Sequence, residues 1–461
     1  MSVIAAFMVP HPPMIVPAVG RGSEEQVLKT TLAYEKVAEE IARLAPDTLI
    51  ITSPHSVMYA DYFHVSPGSG AAGSFRQFGA PQVKFSEEYD TGFVKKLCEL
   101  SDAEDFPAGT LGERDAALDH GTMVPLWFIR QKYSGGKLVR IGLSGLPLTA
   151  HYRLGQLIAQ AVEETGARAV IIASGDLSHK LKEYGPYGFA AEGPEYDSRI
   201  MDVMGRAAFG ELFDFDENFC DKAAECGHRS FVIMAGAFDG LCVRAEALSH
   251  EDITGVGYGI CTFYPEGKDA GRHFLNDYME RSERECRERA EKSDPWVKLA
   301  RASVESWVKR RECISVPEGL PEELLARRAG AFVSLHEHGR LRGCIGTTAA
   351  TQSCVAEEII QNAISACSHD PRFPEVRADE LNSLEISVDV LGELEPISSP
   401  AELDVKRYGV VVSRGRKRGL LLPNLDGVDT VEEQISIARR KAGIREDEPI
   451  ALERFEVVRH Y

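Results

Sequence analysis

Four short apolar runs set the terms on which the first half of this sequence can fold: "VIAAFMV" from Val3, "DTLIITS" from Asp47, "LVRIGLSGL" from Leu138 and "RAVIIAS" from Arg168. A strand with one wet face alternates apolar and polar residues, whereas a strand covered on both faces reads as a near-continuous apolar run. Between the first two runs lies "EEQVLKTTLAYEKVAEEIARL", whose Val27, Leu28, Leu32, Val37, Ala38, Ile41 and Leu44 keep helical spacing. The alternation predicts an α/β domain, a sheet with helices on both faces.

A different texture begins near residue 275. At 461 residues the chain exceeds what one core usually serves, so a second domain is expected. The stretch "RHFLNDYMERSERECRERAEK" is heavily charged and reads as a solvated helix or linker over 271–292. A helix then starts at Asp294, a capping residue, with Pro295 suited to its first turn. Short strands follow in "GAFVSLHEHGRLRGCIG", "SLEISVDVLGEL" and "YGVVVSRGRKRGLLLP", mixed with the helix "QSCVAEEIIQNAISAC". That predicts an α+β domain over 293–461, beside an α/β domain over 1–270.

Composition excludes some partners. A net charge of −19 argues against nucleic acid or an anionic membrane, both of which attract basic surfaces. No apolar stretch approaches the ~20 residues of a membrane helix. The opening run lacks the basic start of a signal peptide, since the first Lys or Arg is Arg21, and prolines interrupt it. The ten cysteines form no CxxC pair, so reduced thiols and a cytoplasmic location are expected.

Three histidines share one kind of place. His11 follows the first run in "PHPP", His55 the second in "SPHS", and His179 the fourth in "SGDLSH". The carboxyl ends of strands in an open α/β sheet share one edge, where ligands bind, so these three converge if the runs are strands. Singly, each also reads as a structural or surface histidine. Prolines at 10, 12 and 54 stiffen the loops, as a metal site held ready before its metal arrives requires. His120, in "LDHGTMVPLWF", stands where a helix begins and reads either as a fourth member or as an incidental helix-start residue.

"PHPP", "SPHS", "DHGTMVPL" and "SGDLSH", in this order, resemble the class III extradiol dioxygenases of the LigB type over roughly residues 1–270. The resemblance implies a non-haem Fe(II) held by two histidines and a carboxylate, with coordination positions left for a catechol-like aromatic and dioxygen. It assigns the metal to His11 and His55, the catalytic base to His179 and a second active-site role to His120. A histidine suits the base because its ordinary pKa, ~6.5, lies near working pH. Asp176, in "SGDLSH", reads either as orienting that loop or as a turn former. For the carboxylate, Glu225 in "CDKAAECGHRSFVIMAGAFDG" is the first choice and Glu246 the reserve. The stretch "ECGHR" also resembles the Memo family, which shares the fold and carries a cysteine near the metal. Cys226 is its equivalent, and zinc or copper then stand beside iron as candidates.

Downstream, "LRGCIGT" offers Cys344, either a buried cysteine in a glycine-cornered strand or a nucleophile activated by Arg342. With "DPRFP" and "RGLLLP" it resembles the AMMECR family over about 290–461, and His369 beside "DPRFP" is a candidate partner for the thiol. A LigB- or Memo-like domain joined to an AMMECR domain resembles proteins of the AmmeMemoRadiSam system, which implies a radical S-adenosylmethionine protein as partner. The chain lacks a CxxxCxxC cluster motif, so such chemistry would reside in that partner. Three expectations stand: an iron-dependent extradiol dioxygenase, a Memo-like metal or redox protein, and an AMMECR activity at Cys344 with the first domain regulatory. A homo-oligomer is compatible with each.

Overall fold

Every residue of the strands Ala5–Val9, Thr48–Ser53 and Ala169–Ser174 is buried, as their unbroken apolar runs demand. The computed structural model describes residues 3–114, 117–425 and 427–461. Its chain divides into two compact units, Met1–Tyr278 and Met279–Tyr461.

In the first unit six strands form one sheet. Their order is Lys137–Gly142, Thr48–Ser53, Ala169–Ser174, Ala5–Val9, Tyr258–Lys268 and Leu241–Glu251. The first four run parallel, and the last two add antiparallel. Helices Leu148–Thr165, Glu192–Gly205 and His228–Gly236 bury their apolar sides on one face. Helices Leu28–Leu44 and His120–Lys132 cover the other. The strands Thr48–Ser53, Ala169–Ser174 and Ala5–Val9 are immediate neighbours, so the loops that leave their carboxyl ends emerge side by side.

In the second unit the strands run in the order Arg340–Gly346, Ala331–Glu337, Leu384–Leu391, Ala451–His460, Tyr408–Arg414 and Lys417–Leu421, all antiparallel. Helices Pro295–Arg310 and Val355–Ser368 pack on it around Val297, Val333, Ile359 and Val388. Asp294 caps the first of these, its carboxylate accepting from the Trp296 and Val297 amides at 3.0 and 3.1 Å. The charged stretch forms the helix Phe274–Lys292, and it is not wholly solvated, because Cys286 is buried against the Ser383 carbonyl.

Candidate metal centre

Proline ends the first strand and His11 follows it fully buried, held at both backbone and ring. Its amide donates to Asp176 Oδ1 at 2.7 Å. Its ring Nδ1 meets Ser174 Oγ at 2.9 Å, and that hydroxyl donates to the Gly121 carbonyl at 2.6 Å. A serine hydroxyl has one proton, and a carbonyl can only accept it. Ser174 therefore receives its other bond from His11, which places the imidazole proton on Nδ1 and leaves Nε2 bare. The Gly121 carbonyl is open to this use because Pro125, inside the helix His120–Lys132, has no N–H to give it.

The bare Nε2 faces His55 Nε2 at 3.0 Å and Cys226 Sγ at 3.6 Å. These three donor atoms lie within 4.8 Å of one another. The His120 ring stands 3.9 Å from that of His55 and 5.4 Å from that of His11, centroid to centroid. Burial, with His55 second, drives the His11 pKa down to about 3, and burial with its two histidine neighbours lowers His120 to about 4. Both rings are thus neutral, the state in which imidazole binds a metal. Asp119 caps the His120 helix, accepting from the Thr122 amide at 3.0 Å, and also accepts from Ser53 Oγ at 2.6 Å. That pair ties the start of the helix to the loop that carries His55.

His179 is tethered to the segment that bears Cys226. Its amide donates to the Ala223 carbonyl at 3.2 Å and its Nδ1 to the Ala224 carbonyl at 2.5 Å. The proton again sits on Nδ1, so Nε2 is free to accept. The Asp176 amide donates to Cys226 Sγ at 3.3 Å, but burial first, and then the Asp176 and Glu225 carboxylates, push the Cys226 thiol up, so it rests protonated until a metal draws off its proton. Asp176 is therefore an organiser of the site, binding His11 through its side chain and Cys226 through its backbone.

The carboxylate expected from sequence stands elsewhere. Glu225 precedes the helix His228–Gly236, and its Oε2 accepts from the amide of His228, the first residue of that helix, at 2.6 Å, so this carboxylate is engaged at the helix start and is not in the group formed by His11, His55 and Cys226. Burial raises its pKa to about 7. The reserve, Glu246, is exposed on the edge strand Leu241–Glu251. Among the described residues, the third potential ligand side chain grouped with His11 and His55 is Cys226. Ser174 and the Pro125–Gly121 relation escape a sequence search, since neither has a motif. Only the "AS" at the end of the fourth run marks a polar residue where an apolar one would serve.

In the second unit, Cys344 Sγ accepts from Ser334 Oγ at 3.2 Å. Arg342 does not serve the thiol, for its guanidinium binds Glu380 at 2.6 Å and the Pro374 carbonyl at 2.9 Å. The guanidinium at Cys344 is that of Arg372, which donates to the Cys344 carbonyl at 3.2 Å and is held by Asp370 at 2.6 Å. His369 turns to Ser368 Oγ at 2.7 Å and toward the Trp307 ring, and is not among the side chains that line the cavity around Cys344.

Two family models match these halves separately. Residues 5–261 match the family model described as "Catalytic LigB subunit of aromatic ring-opening dioxygenase", and residues 297–460 match the AMMECR1 model. A protein of Clostridium acetobutylicum is 41% identical over 469 aligned residues, covering 100% of this chain and 99% of its own. One of Thermotoga maritima is 51% identical over 168 residues, 36% of this chain and 97% of that one. A crystal structure from Pyrococcus horikoshii, 32% identical, covers 37% of this chain and 91% of its own with a TM-score of 0.34. One from Escherichia coli K12, 16% identical, covers 56% and 99% with a TM-score of 0.39. Among the described residues no helix is long and apolar enough to cross a membrane.

Proposed function

This chain belongs, through residues 5–261, to the family of the catalytic LigB subunit of aromatic ring-opening dioxygenases, and from that premise we propose that its first unit is a metal-dependent oxidoreductase whose metal is held by His11, His55 and Cys226. The observation that carries this is the Cys226 sulfur beside the two imidazoles, in the place where a carboxylate was expected. Two neutral imidazole nitrogens and the thiolate that a bound metal would draw from the Cys226 thiol suit Fe(II), Zn(II) or Cu(I), and disfavour Mg(II) and Ca(II). Such a metal would supply redox or Lewis-acid chemistry at the open mouth of the sheet.

The surrounding side chains supply the rest. His179 offers a bare Nε2 to take the proton of a substrate hydroxyl, its other nitrogen being occupied by the Ala224 carbonyl. His120, kept neutral by burial, is positioned to hydrogen-bond the same substrate. Phe78 lies 5.5 Å from the His120 ring and Tyr187 5.1 Å from the His179 ring, an aromatic rim suited to a planar substrate. Fe(II) and a catechol-like aromatic are the pairing that the family supports. The thiol also favours a second reading, a Memo-like redox or metal-handling protein that cleaves no ring.

Loading with Co(II) tests the ligand set. A thiolate-to-cobalt charge-transfer band is expected, lost in Cys226→Ser and kept in Glu225→Gln; a band insensitive to Cys226, or no band at all, overturns the proposal. Fe(II)-loaded protein given oxygen and a panel of catechols then separates the two readings: a ring-opened product lost in His179→Ala selects the first, and metal binding without oxygen uptake selects the second.

A further inference from the structure

The second unit contains a cavity of about 790 Å³, a size that takes a whole small molecule. Its floor is one face of the sheet. Ser334 pairs with Cys344 on one side and Ser387 on the other, so a thiol and two hydroxyls stand in a row across three strands. Beyond them Asp389 and Arg459 are bonded across the next strand pair at 2.7 Å. Val297, Leu341, Ile386 and Leu422 give the lining a substantial apolar share.

The charge of the lining is opposite to that of the chain. Among the described residues, five cationic side chains, Arg289, Lys292, Arg301, Arg372 and Arg459, face the cavity with two carboxylate side chains, Glu385 and Asp389, although the whole sequence carries −19. The carboxylates are already used: Glu385 by Arg289 at 2.7 Å, and Asp389 by Arg459. Arg372 has Asp370. Arg301 is different. Its guanidinium donates to the Leu384 carbonyl at 2.7 Å and more weakly to Leu381, and its Nε is buried with no partner. Among the described residues it forms no ion pair, and burial lowers its pKa despite Glu305 one turn away. A half-buried cation whose hydrogen bonds go to neutral carbonyls lacks the directly bonded counter-charge that such burial normally requires.

We propose that this cavity is a binding site for a small anion with an apolar body, its carboxylate or phosphate seated at Arg301 and its apolar part along Val297, Leu341 and Leu422, within reach of the Cys344 thiol. Arginine is suited to the seat because its planar fork matches either oxyanion. The site is independent of the metal centre in the first unit, and neither proposal rests on the other.

The test uses the full chain and three probes of equal tail length: octanoate, octyl phosphate and 1-octanol. The rate of iodoacetamide alkylation at Cys344 is read by peptide mass mapping. Octanoate or octyl phosphate should slow it in the wild-type chain while octanol does not, and whichever anion protects identifies the head group. In Arg301→Gln, titration calorimetry should show that anion binding about tenfold or more weaker, the loss of one charge-assisted contact. Equal protection by octanol, no protection by either anion, or unchanged affinity in Arg301→Gln each overturns the proposal. The wild-type labelling stands even if that variant folds poorly.

Discussion

The hydroxyl of Ser174 stands between two groups with complementary needs, the Gly121 carbonyl that takes its proton and the His11 Nδ1–H that takes its lone pair. Outer partners of this kind typically contribute 10–100-fold to metal affinity. Ser174→Ala should therefore weaken metal binding by about that factor while circular dichroism stays unchanged; undiminished affinity would remove Ser174 from the site. In the second unit, Asp370 is held well below the ordinary carboxylate range, first by Arg372 and then by the Cys344 amide. A depressed carboxyl contributes stability above its unfolded pKa of ~3.9 and loses it as pH falls below. Asp370→Asn should cost about 1–3 kcal/mol at neutral pH, with the gap to wild type closing in acid, as urea titrations at several pH values would show. A gap constant down to acid pH would contradict this. At this scale the sequence was uneven. The strand-end places of His11, His55 and His179 were legible because strand ends are fixed by apolar runs, whereas His120, at a helix start, was left open by its own sequence context. The choice between Glu225 and Cys226 was not legible, because one residue of phase at a helix start decides which side chain is engaged there and which reaches the histidines. Arg342 was similarly misread for Arg372, which lies 28 positions from Cys344 in sequence and beside it in space.

The element that sets Cys226 in place is a contact between two backbones. Gly175 follows the strand Ala169–Ser174 and Gly227 precedes the helix His228–Gly236, and a Cβ on Gly175 would fall 2.0 Å from the Gly227 Cα. No side chain can yield there, so the two segments would have to part. Gly175→Ala is expected to destabilise the first unit by about 1–3 kcal/mol, the usual range for overpacking, and to lower metal affinity through displacement of Cys226. Calorimetric and metal-binding titrations read the two effects separately; a variant of wild-type affinity would show that this contact does not position the thiol. The buried strands and the Asp294 cap were plain in the sequence because their signals are local. The strand Ala451–His460 was not anticipated: it occupies the middle of its sheet, yet Phe455 is its one buried residue and it forms no apolar run.

Across the whole molecule, the cores of the two units share no residue, one set ending at Tyr278 and the other beginning with Trp296 and Val297. Two unfolding transitions are expected in scanning calorimetry. Metal at about 100 times its dissociation constant should raise only the first unit's transition, by ~2.7 kcal/mol of added stability. A single transition, or an equal shift of both, would refute that independence. The fold class was legible at this scale because both halves alternate their elements in recognisable ways. Pro125 carries a last implication for anyone who would engineer this protein. By helix propensity alone it is the first residue to replace, since a proline inside a helix costs ~3 kcal/mol. Yet an amide at 125 would compete with Ser174 for the Gly121 carbonyl and release the His11 tautomer. A variant selected for heat resistance at this position would trade the grip on its metal for a better helix, and thermal screening alone would score the exchange as an improvement.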